Sequence, residues 1–346
     1  MKNMLTMQSQ KQMRLRLLPK ILLGFLLCIM TFPVLAQEEG EEQAAPVTNR
    51  PVKSTFESTM IMDDQTVMVP IKNTFQFDIQ HRFGVLKNYK KDAWGLYETS
   101  NIRMGFSYTP IDNLSVGVGF TKFKRYADFS AKYALLKQRK SWTMPVSVTY
   151  FVNMGIKHDF KYYYDDYDRF SFFHQVLIAR KFNDKFSLQI APSLTHFNLQ
   201  ENRALKNDHF AIAVSAQYKV TPVMSIILNV DQPLSKYRIY AEADTELGLA
   251  ADTRPNPNPN VSLGLQLSTS SHAFQIFLGN YNLIVPQENS MYYRYGQDPN
   301  PNGDPNRKDL TYEDGSLSEF FGDKGFFDRI GSRFRLGFNV TRLWNY

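Results

Sequence analysis

Apolar and polar residues alternate with a period of two through most of the chain beyond residue 72. Such alternation marks strands whose two faces meet different environments. The longest case is the last stretch, 332–346, reading SRFRLGFNVTRLWNY. Phe334, Leu336, Phe338, Val340, Arg342, Trp344 and Tyr346 share one face. Arg333, Arg335, Gly337, Asn339, Thr341, Leu343 and Asn345 share the other. Soluble strands usually run to about five or six residues, whereas a strand crossing a tilted bilayer needs roughly nine to eleven. The closing stretch is long enough to cross.

The same reading predicts eleven earlier strands, over 73–83, 101–109, 114–121, 126–137, 145–156, 169–182, 186–197, 208–220, 224–231, 261–268 and 272–280. Their outward faces are apolar, as in Phe75, Phe77 and Ile79, or Leu263, Leu265 and Leu267. Their inward faces are rich in Gly, Ser, Thr, Gln and Asn. Only 169–182 is ambiguous. Phe173, Leu177 and Ala179 could face lipid with His174 and Arg180 inside, or the reverse. Connections at 110–113, 183–185, 221–223, 269–271 and 138–144 are short and turn-like, with Pro and Asx residues. Those at 84–100, 157–168, 198–207, 232–260 and 281–331 are long, and 122–125 breaks the rhythm. The expectation is an all-β fold: an antiparallel, transmembrane up-and-down β-barrel of about twelve strands over 73–346, with short periplasmic turns and long extracellular loops. A soluble sandwich or a lipocalin-like barrel also alternates. Either would carry more Lys and Glu on its outer face than these strands do.

Composition changes the picture mainly at the N-terminus. Residues 1–36 read as a signal peptide: Lys2, Lys11, Arg14, Arg16 and Lys20 precede an apolar core over 21–35, and Val34-Leu35-Ala36 offers a cleavage site. The segment carries basic but no acidic residues, so the formal +7 falls to about +2 on its removal. The basic balance therefore does not indicate nucleic-acid binding. The lone cysteine, Cys28, also lies there, which excludes disulfides from the mature chain. Residues 37–50 form an acidic flexible linker. Residues 51–72 lack a clean period and read as an N-terminal segment that is periplasmic or folded into the barrel as a plug. High aromatic content, with 27 Phe and 19 Tyr, together with a slightly polar mean hydropathy suits interleaved faces.

Chemical motifs are scarce. There is no nucleophile elbow, P-loop, CxxC or HExxH, and the six histidines are scattered. Neither a catalytic residue nor a cofactor or metal site is expected. The acid-rich stretch at 157–168 lacks calcium-loop spacing and reads as a solvated loop. Phenylalanine pairs within 318–330 suggest a short helix folded over the mouth or into the pore, or packed on the surface. SVGVGF at 115–120 places two glycines in a strand, where they give curvature or lumen space. The remaining candidates are charges on inward faces: Asp78, Arg82, Arg103, Lys132, Lys219, Asp231, Arg333 and Arg335. In a narrow polar lumen such charges pair structurally or set selectivity, and pairing is the favoured role.

Two resemblances add to this. The end of the chain looks like the terminal aromatic strand of bacterial outer-membrane barrels, which makes Trp344 and Tyr346 an expected assembly signal for the barrel-assembly machinery. The strings DDQTVMVPIKNTFQFDIQHRFG, SNIRMGFSYTPIDNLSVGVGFTK, KYALLKQ, MPVSVTYF and HQVLIARKFNDKFSLQIAPS resemble domain of unknown function 5777, a family of outer-membrane β-barrels from Bacteroidota. The resemblance implies compartment and fold, and brings no activity with it. The expected function is a narrow channel or transporter for a small solute. The alternatives are a non-conducting scaffold for a periplasmic or surface partner and, least favoured, a membrane-embedded enzyme. Outer-membrane lipids are the expected surroundings.

Overall fold

The computed structural model describes residues 49–86, 93–98, 100–158, 165–199, 207–235, 259–290 and 334–345. Two short strands come first, β1 (Met60–Ile61) and β2 (Asp64–Gln65), which pair with each other as a hairpin. Twelve long strands follow: β3 (Thr74–Val85), β4 (Asn101–Ile111), β5 (Leu114–Thr121), β6 (Tyr126–Leu136), β7 (Ser147–Lys157), β8 (Phe170–Lys181), β9 (Phe186–Phe197), β10 (Asp208–Lys219), β11 (Met224–Pro233), β12 (Asn260–Ser268), β13 (His272–Gly279) and β14 (Arg335–Asn345). Each pairs antiparallel with its neighbours in chain order. β14 pairs with β3, from Asn345 opposite Thr74 to Arg335 opposite Val85, and so closes the barrel. Closure leaves no strand edge with unmet backbone groups, as a membrane requires.

The two faces are inverted relative to a soluble sheet. Phe106, Phe120, Phe129, Leu263, Leu265, Phe274 and Ile276 stand exposed on the outside, each more than a third accessible. Gln76, Gln80, Asn153, Gln189, Gln217, Asn229, Gln266, Gln275 and Asn339 are buried on the inside. Apolar exposure around a whole barrel fits lipid and excludes the soluble sandwich.

The lumen is filled by two stretches of chain. The first is 51–70, which enters from the end of the short turns. Pro51 bridges to Arg139 in the 138–144 turn, and Val52 N–H donates to the Gln138 carbonyl (2.8 Å). Phe56, Met60, Ile61 and Met62 are then almost wholly buried, and the hairpin lies inside the barrel. The second stretch is 280–290, which directly follows β13 at the end of the long loops. Tyr281, Ile284, Val285, Gln287, Glu288 and Asn289 are all buried, and Pro286–Asn289 forms one helical turn. Sequence reading had placed 281–290 in an extracellular loop. It turns inward because the Leu283-Ile284-Val285 run is too apolar to stay in water.

The ambiguous strand β8 takes the reverse of the register first described. Phe173, Leu177 and Ala179 point inward, whereas His174 and Arg180 point outward. The cause is the hairpin. Phe56, Ile61, Met62 and Val67 form one apolar cluster with the lumen residues Phe151, Phe173, Leu177, Ile227 and Phe277. An occupied lumen needs apolar wall residues that an open one would not.

Candidate functional site

The candidate site is the lumen, in three parts: the wall that grips the hairpin, the junction between the two filling segments, and a cavity that neither segment occupies.

Long amides do the gripping. Gln189 accepts from Val67 N–H (3.0 Å) and donates to the Gln65 carbonyl (2.7 Å). Gln275 repeats the motif, accepting from Met62 N–H (3.0 Å) and donating to the Met60 carbonyl (2.9 Å). Each amide thus imitates the edge of a neighbouring strand, satisfying an N–H and a C=O two residues apart. Asn339 donates to the Met62 carbonyl (2.6 Å), and Thr149 to that of Val67 (2.8 Å). Buried backbone groups must be satisfied, and here side chains of the wall satisfy them.

The two filling segments meet at Asp63, in the hairpin turn. Its carboxylate accepts from the Tyr281 hydroxyl and from Asn289 Nδ2, both in the second segment, and from Asn229 Nδ2 on the wall (3.3 Å). Burial raises the Asp63 pKa against the lowering effect of Tyr281 and Arg82. Its neighbour Asp64 is pushed well above the usual carboxylate value by burial and then by the charges of Asp63 and Asp231. At the long-loop end Glu288 anchors the second segment. It meets Lys124 Nζ (2.8 Å), the Tyr126 hydroxyl (2.9 Å) and Lys157 Nζ (3.8 Å). Burial alone would raise its pKa, but the two lysines outweigh burial and hold it below the usual value.

The inward charges read from the sequence fall in different parts of this lumen. Arg103 forms a two-pronged pair with Asp128 (2.7 and 2.9 Å). Lys219 pairs with Glu57 of the first segment (2.5 Å). Arg82 is buried, donates to Asn339 Oδ1 (2.9 Å) and lies over the Phe277 ring (4.6 Å). Asp231 is buried near the hairpin turn, and Arg335 is buried at the long-loop end of β14. Lys132 donates to the Thr59 carbonyl (3.0 Å) and Gln65 Oε1 (2.9 Å) of the first segment. Asp78 accepts from Gln76 Nε2 (2.8 Å). Trp344 packs on Phe75 (5.6 Å between ring centroids) beside Arg342. Arg333, Tyr346, residues 37–48 of the acidic linker, the leader and the 318–330 segment lie outside the described residues.

Sequence reasoning missed Asp128, Asp63, Glu288 and the two gripping glutamines. Asp128 was within reach of it, since it shares the inward parity of Lys132 on the same strand. The others depend on where non-strand segments fold, which alternation does not report.

The cavity lies between the hairpin and the wall made by β3 to β6. It is bordered by Asp78, Gln76, Ser107, Ser115, Ser130 and Lys132 on the wall and by Thr59 and Gln65 on the hairpin. Its volume is ≈ 50 Å³, enough for a few waters. Gly105 and Gly117 face it, and a side chain at either would intrude. Among the described residues no group of three or more His, Cys, Asp or Glu is placed to hold a metal ion.

Three solved structures are among those to which the chain is similar. A NanC porin has 8% identity and a TM-score of 0.42, over 79% of this chain and 99% of that one. A KdgM porin has 7% identity and a TM-score of 0.40, over 78% and 98%. An outer membrane channel from Pseudomonas putida F1 has 13% identity and a TM-score of 0.41, over 80% and 97%. No curated protein matches the chain. The family model described as "Membrane bound beta barrel domain (DUF5777)" matches residues 56–344, from the buried Phe56 to the aromatic Trp344, and the chain belongs to that family.

Proposed function

We propose that this protein is an outer-membrane channel for small polar solutes, held closed by the 51–70 segment and opened by its displacement. The observation that carries the reading is the polar grip. Beside an apolar contact on one side, the wall holds the segment through side-chain hydrogen bonds to its backbone, which water can replace when the segment moves. The short turns are read as periplasmic and the long loops as extracellular, so the hairpin enters from the periplasm. The role is read as non-catalytic. Ser271 and His272 hydrogen-bond (3.0 Å) as neighbours in a tight turn, and the outward His196–Asp208 pair (2.7 Å) has no serine in that contact.

The test is conductance in planar bilayers, comparing the chain from Gln37 with one lacking 37–70. Heat-modifiable gel migration checks that each barrel is folded. Small, intermittent conductance that becomes large on deletion supports the channel. Two folded barrels that conduct nothing overturn it. A second reading, a non-conducting scaffold, draws on the filling of the lumen from both ends. It predicts a partner that co-purifies with the intact chain and is lost with 37–70.

A further inference from the structure

Two opposite charges in the lumen border the cavity without neutralising each other. Lys132 is 5% exposed and Asp78 6% exposed. Neither is in an ion pair within 4.0 Å among the described residues. A second cation bordering the cavity, Arg103, is already turned to Asp128 by two hydrogen bonds. A buried charge is costly unless it is paired, and neutral acceptors compensate it only in part. The wall around the two charges is built for room and for hydrogen bonding. On β3 to β6 the residues Gln76, Ser107, Gly117 and Ser130 stand side by side across the sheet, as the pairings Gln76–Ser107, Ser107–Gly117 and Gly117–Ser130 show. The adjacent row begins Asp78, Gly105, Gly119. On the other side Ser115 stands opposite Lys132. Hydroxyls and an amide thus line the floor between a carboxylate and an ammonium. Two of the wall positions carry no side chain at all.

From this arrangement we infer that the cavity is a binding site for a small zwitterion: a molecule of α-amino-acid size that carries both an ammonium and a carboxylate. Asp78 takes the ammonium and Lys132 the carboxylate, and the serines satisfy the remaining donors and acceptors. A simple anion would answer only Lys132, and a simple cation only Asp78. The inference deepens the channel reading, since it makes the cavity a station on the solute's path along the β3–β6 wall. Lys132 also holds the Thr59 carbonyl and Gln65 Oε1 of the hairpin. A carboxylate drawn to Lys132 therefore competes with the hairpin for the same ammonium.

The test is calorimetric titration of the folded chain from Gln37 in detergent with L-alanine, acetate, ethylammonium and glycerol. Saturable binding of L-alanine, at least tenfold tighter than of acetate or ethylammonium, is expected. Asp78→Asn and Lys132→Met should each weaken it at least tenfold. Gly117→Ala keeps both charges but puts a Cβ 3.0 Å from Ser107 Cβ and Ser130 Oγ, and it should weaken binding as well. Asp208→Asn, on the outer face and remote from the cavity, should not. Each variant is read only when its heat-modifiable migration matches the parent. Acetate binding as tightly as L-alanine would make this an anion site and overturn the inference. So would no saturation by any probe, or L-alanine binding indifferent to Asp78 and Lys132. Because binding is read without flux, failure here and failure to conduct are separate results.

Discussion

Replacing Gln189 with leucine removes the most exacting grip on the hairpin while nearly preserving side-chain volume. Two hydrogen bonds go, from Val67 N–H and to the Gln65 carbonyl. The Val67 N–H stays buried against an apolar side chain, with Val67 5% exposed, and the part-buried Gln65 carbonyl loses its donor. Each bond contributes about 1 kcal/mol net, and leaving a buried partner unsatisfied costs about 1–3 kcal/mol. The seated state should therefore lose roughly 2–4 kcal/mol relative to the displaced one. At 1.36 kcal/mol per factor of ten, the displaced population rises by about 30- to 1,000-fold. A thiol placed by Ser58→Cys reports this population, because Ser58 is 7% exposed and the change is almost isosteric. The mature chain carries no other cysteine once residues 1–36 are removed. Maleimide labelling of that thiol, in folded barrels with and without Gln189→Leu, should accelerate by a factor in this range. Gln275→Leu should act similarly through Met62 and Met60. Labelling rates that stay within twofold of the parent in both variants would refute the view that these amides hold the hairpin.

Acidity should act on the two filling segments in opposite directions. Asp63 and Asp64 have pKa values raised above 3.8 when seated, so the seated hairpin retains protons; its stability is greatest below that value and declines as pH rises through the raised ones. Labelling of the same thiol, divided at each pH by that of a freely exposed reference cysteine to remove the rise in thiolate, should then quicken with rising pH, and Asp63→Asn should flatten the profile. Glu288 has its pKa depressed below 4.5, so its contribution is present above that pH and lost as pH falls through the depressed value. On the same normalised scale, a thiol placed by Val285→Cys should label faster in acid. Glu288→Gln, which removes the carboxylate charge facing Lys124 and Lys157, should weaken the 280–290 segment by about 2–3 kcal/mol, less than a wholly buried pair because Lys124 is partly exposed. Deleting 344–346 removes the ring on which Phe75 packs, and membrane levels of the protein should drop several-fold while export continues. Normal membrane levels of the truncated chain would end the assembly-signal reading.

The barrel was legible because a lipid face and a lumen face impose the same two-residue period on every strand. Residues such as Phe274, Ile276 and Leu278 against Ala273, Gln275 and Phe277 leave little choice of register. Boundaries also came close: 114–121 and 186–197 coincide with β5 and β9. The ambiguity at β8 has the same physical root. Alternation identifies the outward face by its hydrophobicity, and Phe173 and Leu177 are hydrophobic because they meet the hairpin. Where the lumen is packed, both faces are apolar and the period loses its contrast. The glycines of 115–120 were readable as lumen space. That the space borders Asp78 and Lys132 required the closed sheet, which sets strands β3 and β6 around one cavity.

The division of the wall into two sectors constrains how such a barrel opens. Phe151, Phe173, Leu177, Ile227 and Phe277 come from β7, β8, β11 and β13, and together with Phe56, Ile61, Met62 and Val67 they form one buried cluster. Burial of a large apolar side chain is worth about 1.5–3 kcal/mol. Complete ejection of the hairpin would expose these nine, at a cost of well over 10 kcal/mol on that scale. The β3–β6 sector presents no such barrier. There the wall is Gly, Ser and Gln, the hairpin is held by Lys132 through neutral oxygens, and a cavity already separates the two. A tilt of the hairpin away from β3–β6, with the apolar cluster left in place, breaks only contacts that water or a solute can replace. Opening by partial displacement therefore requires far less free energy than ejection. A disulfide that ties the hairpin to the apolar sector, through Thr55→Cys and Ser147→Cys, whose hydroxyls lie 3.4 Å apart, should then leave conductance largely intact. Loss of all conductance on its oxidation, restored by reduction, would show that ejection is the route.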